Sequence, residues 1–148
     1  MAKLQFRPKS NPDFRELICV YSNLYYVCQD CNSSKGSTWP KPQVQAHGFR
    51  FLDPCIDDLS DHWSVGPDGS IKARTAAGMY TIARIQLNRD YLRHWRSEKS
   101  ALLAQIDEVA RMASAMTGAP EHAVASRLLT ALRRRLTGEF GEFWIEVR

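Results

Sequence analysis

The clearest hydrophobic pattern lies in the second half of the chain, where apolar residues recur every three or four positions. This spacing predicts a long amphipathic helix that Asn88 can cap and that stops at residues 117–120. Its apolar stripe consists of Leu92, Trp95, Leu102, Ile106, Val109, Ala113 and Met116. A second helix should open at Pro120 and end at Gly138. Its apolar positions are Val124, Leu128, Leu132 and Leu136. Together the two segments predict an antiparallel helical hairpin held by ordinary core packing.

The first half of the chain has shorter and more varied patterns. Residues 17–21 form an apolar patch after a proline-containing loop, which predicts a short strand. From Asn23 the apolar positions recur at helical spacing until Gly36. We therefore expect a short amphipathic helix there, capped by Ser22 or Asn23.

The middle of the chain favours β structure. Residues 48–54 alternate apolar and polar side chains before a proline, as an edge strand would. A Gly-Pro-Asp-Gly turn at residues 66–69 precedes a further strand candidate at residues 70–74. The mixture predicts an α+β fold, in which strands and short helices occupy residues 1–87. A helical region, residues 88–148, should pack on them as part of one structural unit.

Composition limits the class of protein. With 148 residues, 44% of them apolar and 24% charged, the chain has the size and balance of one globular domain. No apolar run approaches the roughly 18 residues that cross a bilayer, so no membrane association is expected. The first residues include no hydrophobic segment of secretory type, which makes the cytoplasm the expected location. In that compartment, cysteines are better interpreted as thiols or metal ligands than as disulfides.

The charge allows a nucleic-acid partner without requiring one, since the net charge is +4 and the pI is near 9.0. The distribution of charge says more than the total. Residues 53–61 are acidic, whereas several basic residues lie within or near residues 23–36. These basic residues are Arg7, Lys9, Lys35 and Lys41. The arginine run at residues 133–135 fits either the solvated end of a helix or a phosphate contact.

The candidate chemistry begins with the pair Cys28 and Cys31. Such a Cys-x-x-Cys pair can bind zinc, but a closed structural zinc site almost always needs four ligands. Further candidates are Cys19, Cys55, His47, His62, His94 and His122. If zinc binds, the first set to test is Cys28, Cys31, Cys55 and His62. The alternatives are a redox or packed thiol pair, a small buried side chain at Cys55, and a simple hydrogen-bonded histidine at His62.

The residues around this pair resemble a known family. Asn-Leu-x-x-x-Cys-x-x-Cys-Asn-x-x-Lys-Gly, at residues 23–36, closely resembles the helix of HNH endonucleases, in which a ββα-metal fold holds one divalent cation. Residues 6–10 and short segments between residues 51 and 96 are similar to one branch of that family. The branch includes HNH partners of ATPases in bacterial anti-phage systems of the Septu and retron kind.

The resemblance implies a role for each matched residue. Asn23 would orient the catalytic loop through hydrogen bonds, and Asn32 would face a catalytic Mg²⁺ or Mn²⁺ from the helix. Lys35 would lie near the scissile phosphate. Arg7 and Lys9 would contact phosphates without reading bases.

Two departures from the family pattern affect the expected activity. Family members carry an acid and a histidine where this chain has Leu4 and Gln5. They also have an upstream Cys-x-x-Cys that completes a structural zinc site, of which Cys28 and Cys31 would supply half. Leucine cannot bind a metal, and glutamine cannot act as a general base. The implied core is therefore a truncated, HNH-like ββα-metal unit with a small irregular β element.

These features predict an HNH-family protein that associates with DNA in bacterial defence or a mobile element, with hydrolysis impaired or lost. Three explanations of the missing pair stay open. The chain is a degenerate protein that kept the fold for binding, or a truncated form of an active divalent-metal-dependent endonuclease. Otherwise His47, His62 or an oligomeric partner supplies the missing groups. A non-catalytic scaffold that docks a partner ATPase through the C-terminal hairpin is a further alternative.

Overall fold

The computed structural model describes residues 2–140 and shows an α+β fold, as predicted. The strands are β1 (Ala2–Gln5), β2 (Leu24–Val27), β3 (Trp63–Val65) and β4 (Ile71–Ala73). The helices are α1 (Gln29–Lys35), α2 (Pro42–Ala46), α3 (Leu59–His62), α4 (Ala76–Ile85), α5 (Asp90–Ala115) and α6 (His122–Phe140). Two 3₁₀ helices, Pro12–Leu17 and Tyr21–Asn23, lie between β1 and β2. No helix in this range is long and apolar enough to cross a membrane.

The described residues divide into two compact units. The first comprises residues 2–66 and 70–90, and the second comprises residues 67–69 and 91–140. Residues 141–148 of the predicted C-terminal region lie outside the described part of the chain.

The first unit begins with a β-β-α arrangement. β1 and β2 pair in antiparallel fashion, with Leu4 opposite Tyr25 and Gln5 opposite Leu24. β2 leads into α1, which Cys28 caps, because its Sγ accepts a hydrogen bond from the Cys31 amide at 3.3 Å. α1 packs against β1 and against α4. The sheet and both helices thus form one assembly around the residues that resemble the HNH motif.

A hydrophobic core lies in the rest of this unit. It consists of Leu52, Trp63, Ile71 and Ala77, with Leu59, Ile82 and Leu87 packed against it. β3 and β4 form a second antiparallel pair, which places Trp63 and Ile71 in this core. α3 and α4 meet closely at Gly78, where an added Cβ would lie 2.3 Å from the His62 carbonyl oxygen. This glycine is therefore a packing requirement.

The second unit contains the predicted helical hairpin. Leu102 and Ile106 of α5 form its buried cluster, and Trp95, Leu129, Leu132 and Leu136 pack against them. Because residues early in α5 share the cluster with residues late in α6, the two helices run antiparallel. Gly69 adopts a positive φ of +73° in this unit, and its carbonyl oxygen accepts a hydrogen bond from Arg96 Nε at 2.6 Å.

Several predicted elements are wrong. Residues 24–27 form a strand instead of the first turn of a helix, and the cap is Cys28 instead of Ser22 or Asn23. The aromatic and β-branched side chains of this segment favour extended backbone. The apolar patch at residues 17–21 is not a strand, because it lies within the β1–β2 loop between two 3₁₀ helices that take up its first and last residues. Residues 48–54 are irregular, and α6 continues past Gly138.

Candidate functional site

Asn23 organises the loop that joins β1 to β2. Its side chain is 5% exposed. Its Oδ1 accepts a hydrogen bond from the Arg7 amide at 2.7 Å, and its Nδ2 donates to the carbonyl oxygens of Arg7 at 3.1 Å and Leu17 at 3.0 Å. Its own carbonyl oxygen accepts from the Phe6 amide at 2.9 Å. One asparagine therefore holds the loop together from Arg7 to Leu17.

Leu4 and Gln5 lie at the end of β1, where this loop begins. Leu4 is 7% exposed and is part of the packed interior. Gln5 is half-buried, and its Nε2 donates to the Ile18 carbonyl oxygen at 2.9 Å. The amide thus serves the loop structure. Neither side chain can take a proton from water or bind a cation strongly.

Asn32 lies on the helix that packs against β1. Its side chain is half-buried, and its backbone belongs to the hydrogen-bond ladder of α1. α1 therefore brings Asn32 to the same small assembly as Leu4, Gln5 and Asn23. An amide oxygen can serve as a ligand of a hard divalent cation, but carboxylates usually accompany it.

Cys28 and Cys31 interact with a residue that the sequence motif does not include. Arg89 Nη2 donates to the Cys31 Sγ at 3.3 Å, and Nη1 donates to the Ser34 Oγ at 3.1 Å and the Ile85 carbonyl oxygen at 3.2 Å. Burial raises the pKa of the Cys31 thiol, as does the neighbouring Cys28, while the Arg89 hydrogen bond lowers it in part. The guanidinium thus ties Cys31 and Ser34 on α1 to the end of α4.

The four candidate zinc ligands are not assembled. Within residues 2–140 no three His, Cys, Asp or Glu side chains are grouped so as to hold a metal ion. Cys55 is exposed, which corrects its interpretation as a small buried side chain. His62 Nδ1 lies 2.7 Å from the Thr75 Oγ1, and Nε2 lies 3.9 Å from the Asp57 carboxylate. His62 is therefore engaged in local hydrogen bonding. A zinc ion on Cys28 and Cys31 would need ligands beyond the described arrangement.

Lys35 is buried, although a phosphate contact was expected of it. Its side chain is 1% exposed, and Nζ lies 5.1 Å from the centroid of the Phe51 ring. Nζ makes no hydrogen bond within the described residues. Burial lowers the pKa of this ammonium to about 8. The burial of Lys35 does not favour a phosphate contact, because its ammonium is inaccessible to solvent.

Arg7 and Lys9 have the exposure that a phosphate contact needs. The Arg7 guanidinium stacks near two aromatic rings, at 5.6 Å from the Phe14 centroid and 6.0 Å from the Trp39 centroid. The Asn23 hydrogen bonds hold the Arg7 backbone, so its side chain leaves a fixed point on the loop.

A polar network that sequence reasoning missed holds residues 50–57 against β2. The Tyr25 hydroxyl donates to the Asp53 carboxylate at 2.6 Å, and burial together with this bond raises the pKa of Tyr25. Arg50 forms a bidentate pair with Asp57 at 2.7 Å, which lowers the pKa of Asp57. The tyrosine and the acids lie far apart in sequence, so only the acidic character of residues 53–61 hinted at the network.

A scan against protein-family models and searches of curated proteins and of solved structures found no match for this chain.

Proposed function

We propose that this chain is an HNH-like protein that binds nucleic acid and has lost, or nearly lost, phosphodiester hydrolysis. The observation that carries the proposal is the set of hydrogen bonds from Asn23, which holds the loop after β1, since the motif resemblance implies such a role for an asparagine at this position. The β1–β2–α1 order and the packing of α1 against β1 also agree with a ββα core.

The loss of hydrolysis follows from two side chains. A general base and a metal-binding acid are needed at the end of β1, and the chain has Gln5 and Leu4 there. Leu4 is buried, and the Gln5 Nε2 donates a hydrogen bond to the Ile18 carbonyl oxygen. Asn32 alone retains a side chain of the kind that the family directs at a metal. Any Mg²⁺ or Mn²⁺ held there would lack a carboxylate ligand from β1.

Nucleic-acid binding is supported by exposed cations on the β1–β2 loop, which the Asn23 hydrogen bonds hold in place. Arg7 and Lys9 can each neutralise a phosphate, and every neutralised phosphate releases counterions and makes affinity salt-dependent. This mode of binding fixes position on the backbone and gives no base specificity. A DNA duplex is the ligand that the family resemblance favours.

The test combines binding with cleavage. Affinity for a labelled DNA duplex should fall steeply with salt, and Arg7→Ala or Lys9→Ala should each reduce the slope of log K against log salt by about 1. Lys72→Ala is the matched control, since Lys72 is exposed on β4. A salt-independent affinity would refute the binding role.

The cleavage arm uses supercoiled plasmid with Mg²⁺ or Mn²⁺. No nicking is expected above background. Nicking that disappears in Asn32→Ala would instead make the chain an active HNH endonuclease. Combining Leu4→Asp with Gln5→His restores the two missing groups, and gain of nicking in that variant alone would support the assignment of these positions.

A second candidate function, docking of a partner protein, is favoured by an apolar groove on the helical hairpin. The groove has a volume of about 270 Å³ and is lined mainly by Val109, Met112, Met116, Val124 and Leu128. Val124 is 61% exposed and Leu128 49%. If the chain docks an ATPase through this groove, Leu128→Asp should abolish co-purification of the two proteins. Persistence of the complex would reject this docking site. A solution mass of the unaltered chain above that of one copy, which Leu128→Asp reduces, would indicate self-association through the groove instead.

A further inference from the structure

A cleft lies beside the loop that Asn23 closes, and neither the motif nor the proposed hydrolytic positions use it. Its volume is about 250 Å³. Half-buried Phe14 and Trp39 provide its aromatic surface, and exposed Lys41 provides a cation. Asn11, Asp13 and Gln45 provide polar groups. The cleft therefore combines aromatic surface, one positive charge at Lys41, one negative charge at Asp13, and neutral hydrogen-bonding groups.

The local structure holds the aromatic surface in place. Phe14 lies in the 3₁₀ helix after β1, and its ring packs edge-on against Trp39 with centroids 5.3 Å apart. Trp39 also packs on Phe6 at 5.6 Å and on Phe51 at 6.1 Å, which anchors its indole in the interior. Two further lining residues are joined by a hydrogen bond, in which Gln45 Nε2 donates to the Pro40 carbonyl oxygen at 2.8 Å. The walls are thus formed before any ligand enters.

Hydrogen-bonding capacity remains at the edge of the cleft. The Asp13 carboxylate and the Gln45 Oε1 accept no hydrogen bond within residues 2–140, and both can accept one from a ligand. The Arg7 guanidinium stacks on Phe14 and Trp39 but does not line the cleft, which leaves it available to a backbone phosphate. A planar ring with N–H donors on its edge and a phosphate nearby fits these groups.

We infer that this cleft binds an unpaired base of single-stranded nucleic acid, with the base against Phe14 and Trp39 and adjacent phosphates on Arg7 and Lys41. The inference rests on the proposed function and specifies its ligand. Base stacking on aromatic side chains tolerates any sequence, because every base has a π-face. The chain would then prefer unpaired segments over a continuous duplex.

The test compares two ligands that differ only in their bases. A labelled oligothymidylate and an abasic oligonucleotide of the same length carry the same phosphates, and their affinities can be measured by fluorescence anisotropy at fixed salt. Since stacking contributes roughly 1–3 kcal/mol per base, one stacked base should make the oligothymidylate bind about 5- to 150-fold more tightly. This comparison uses the unaltered protein, so it does not depend on the folding of any variant.

Variants then locate the site. Phe14→Leu should bring oligothymidylate affinity close to abasic affinity, whereas Tyr26→Leu, which removes an aromatic ring 82% exposed on β2, should leave the ratio unchanged. Lys41→Ala should weaken both ligands by the same factor. Thermal unfolding of each variant confirms that it is folded.

The outcomes separate the inference from the proposed function. Equal affinity for the two oligonucleotides overturns the base site, and salt-dependent duplex binding would then leave the proposed function intact. A preference for thymidylate that Phe14→Leu does not reduce also overturns the site. Failure to bind any nucleic acid rejects both. Binding of a proline-rich peptide in the cleft without any base preference would replace the inferred ligand.

Discussion

Asn23→Ala should destabilise the protein by about 3 kcal/mol, because the asparagine side chain makes three hydrogen bonds that no other group replaces. Each hydrogen bond contributes about 1 kcal/mol net, and an orphaned buried partner costs somewhat more. Arg7 loses a partner for both its amide and its carbonyl oxygen, and Leu17 loses one for its carbonyl oxygen. Water can reach part of the loop and hydrate the unpaired groups, so we expect a destabilisation near the lower end of the range for three lost hydrogen bonds.

Urea denaturation followed by circular dichroism measures this loss. Thermal unfolding should show a decrease of about 6–12 °C, since 1 kcal/mol shifts Tm by roughly 2–4 °C in a protein of this size. Asn11→Ala is the matched control, because the Asn11 side chain accepts one exposed hydrogen bond from the Asp13 amide. It should cost less than about 1 kcal/mol.

A conservative variant sharpens the test. Asn23→Asp retains an acceptor for the Arg7 amide but places a carboxylate oxygen against the two carbonyl oxygens that Nδ2 now contacts. It should therefore be at least as unstable as Asn23→Ala. If Asn23→Ala unfolds at the same urea concentration as Asn11→Ala, or if Asn23→Asp is as stable as the unaltered chain, Asn23 does not hold the loop.

Three further substitutions test other contacts by the same unfolding measurements. Lys35→Met should stabilise the protein by up to ~3 kcal/mol at pH 7, because the folded-state pKa of about 8 lies below the usual 10.5. The unaltered chain should become more stable as pH rises from 8 to 10.5, because only the unfolded state holds the Lys35 proton in this range. Lys35→Met should lack this gain, and equal pH profiles of the two proteins would contradict the burial of a charged Lys35. Arg89→Ala should lower the free energy of unfolding by about 1–3 kcal/mol and raise the pKa of the Cys31 thiol. The pKa can be measured from the alkylation rate of Cys31 as a function of pH, and an unchanged pKa would show that the guanidinium does not act on the thiol. Gly78→Ala should cost about 2 kcal/mol or more through its clash with α3, whereas Gly138→Ala in α6 should stabilise by up to about 1 kcal/mol; similar effects at both positions would remove the packing argument.

Sequence periodicity predicted the elements whose patterns are long and one-sided. The two C-terminal helices repeat an apolar stripe over many turns, and the hairpin follows from the short break between them. Around Asn23 the pattern is only a few residues long, and Tyr25, Tyr26 and Val27 fit a strand as well as a helix turn. Pairing with β1 decides between them, and that pairing joins residues about twenty positions apart.

Long-range partners explain what could not be predicted in the site. Arg89 contacts Cys31 across 58 positions, and Tyr25 contacts Asp53 across 28. Neither pair leaves a local signal, since spacing rules describe one helix, strand or turn at a time. The burial of Lys35 has the same origin, because Phe51, which covers its ammonium, belongs to a distant irregular segment. Motif residues can therefore be identified from sequence while their exposure cannot.

On the proposed function, nucleic-acid binding and hydrolysis depend on different groups, so binding can persist without hydrolysis. The Arg7 and Lys9 side chains depend for their position on the loop, and the loop depends on neutral hydrogen bonds from Asn23 and Gln5. None of these bonds involves a metal ligand or a general base. Leu4 adds buried apolar contact at the position where an acid would require a cation to offset its charge. On the proposed function, leucine has replaced an acid at position 4. The site then needs no cation to offset a buried negative charge, and the loop that carries Arg7 and Lys9 stays in place.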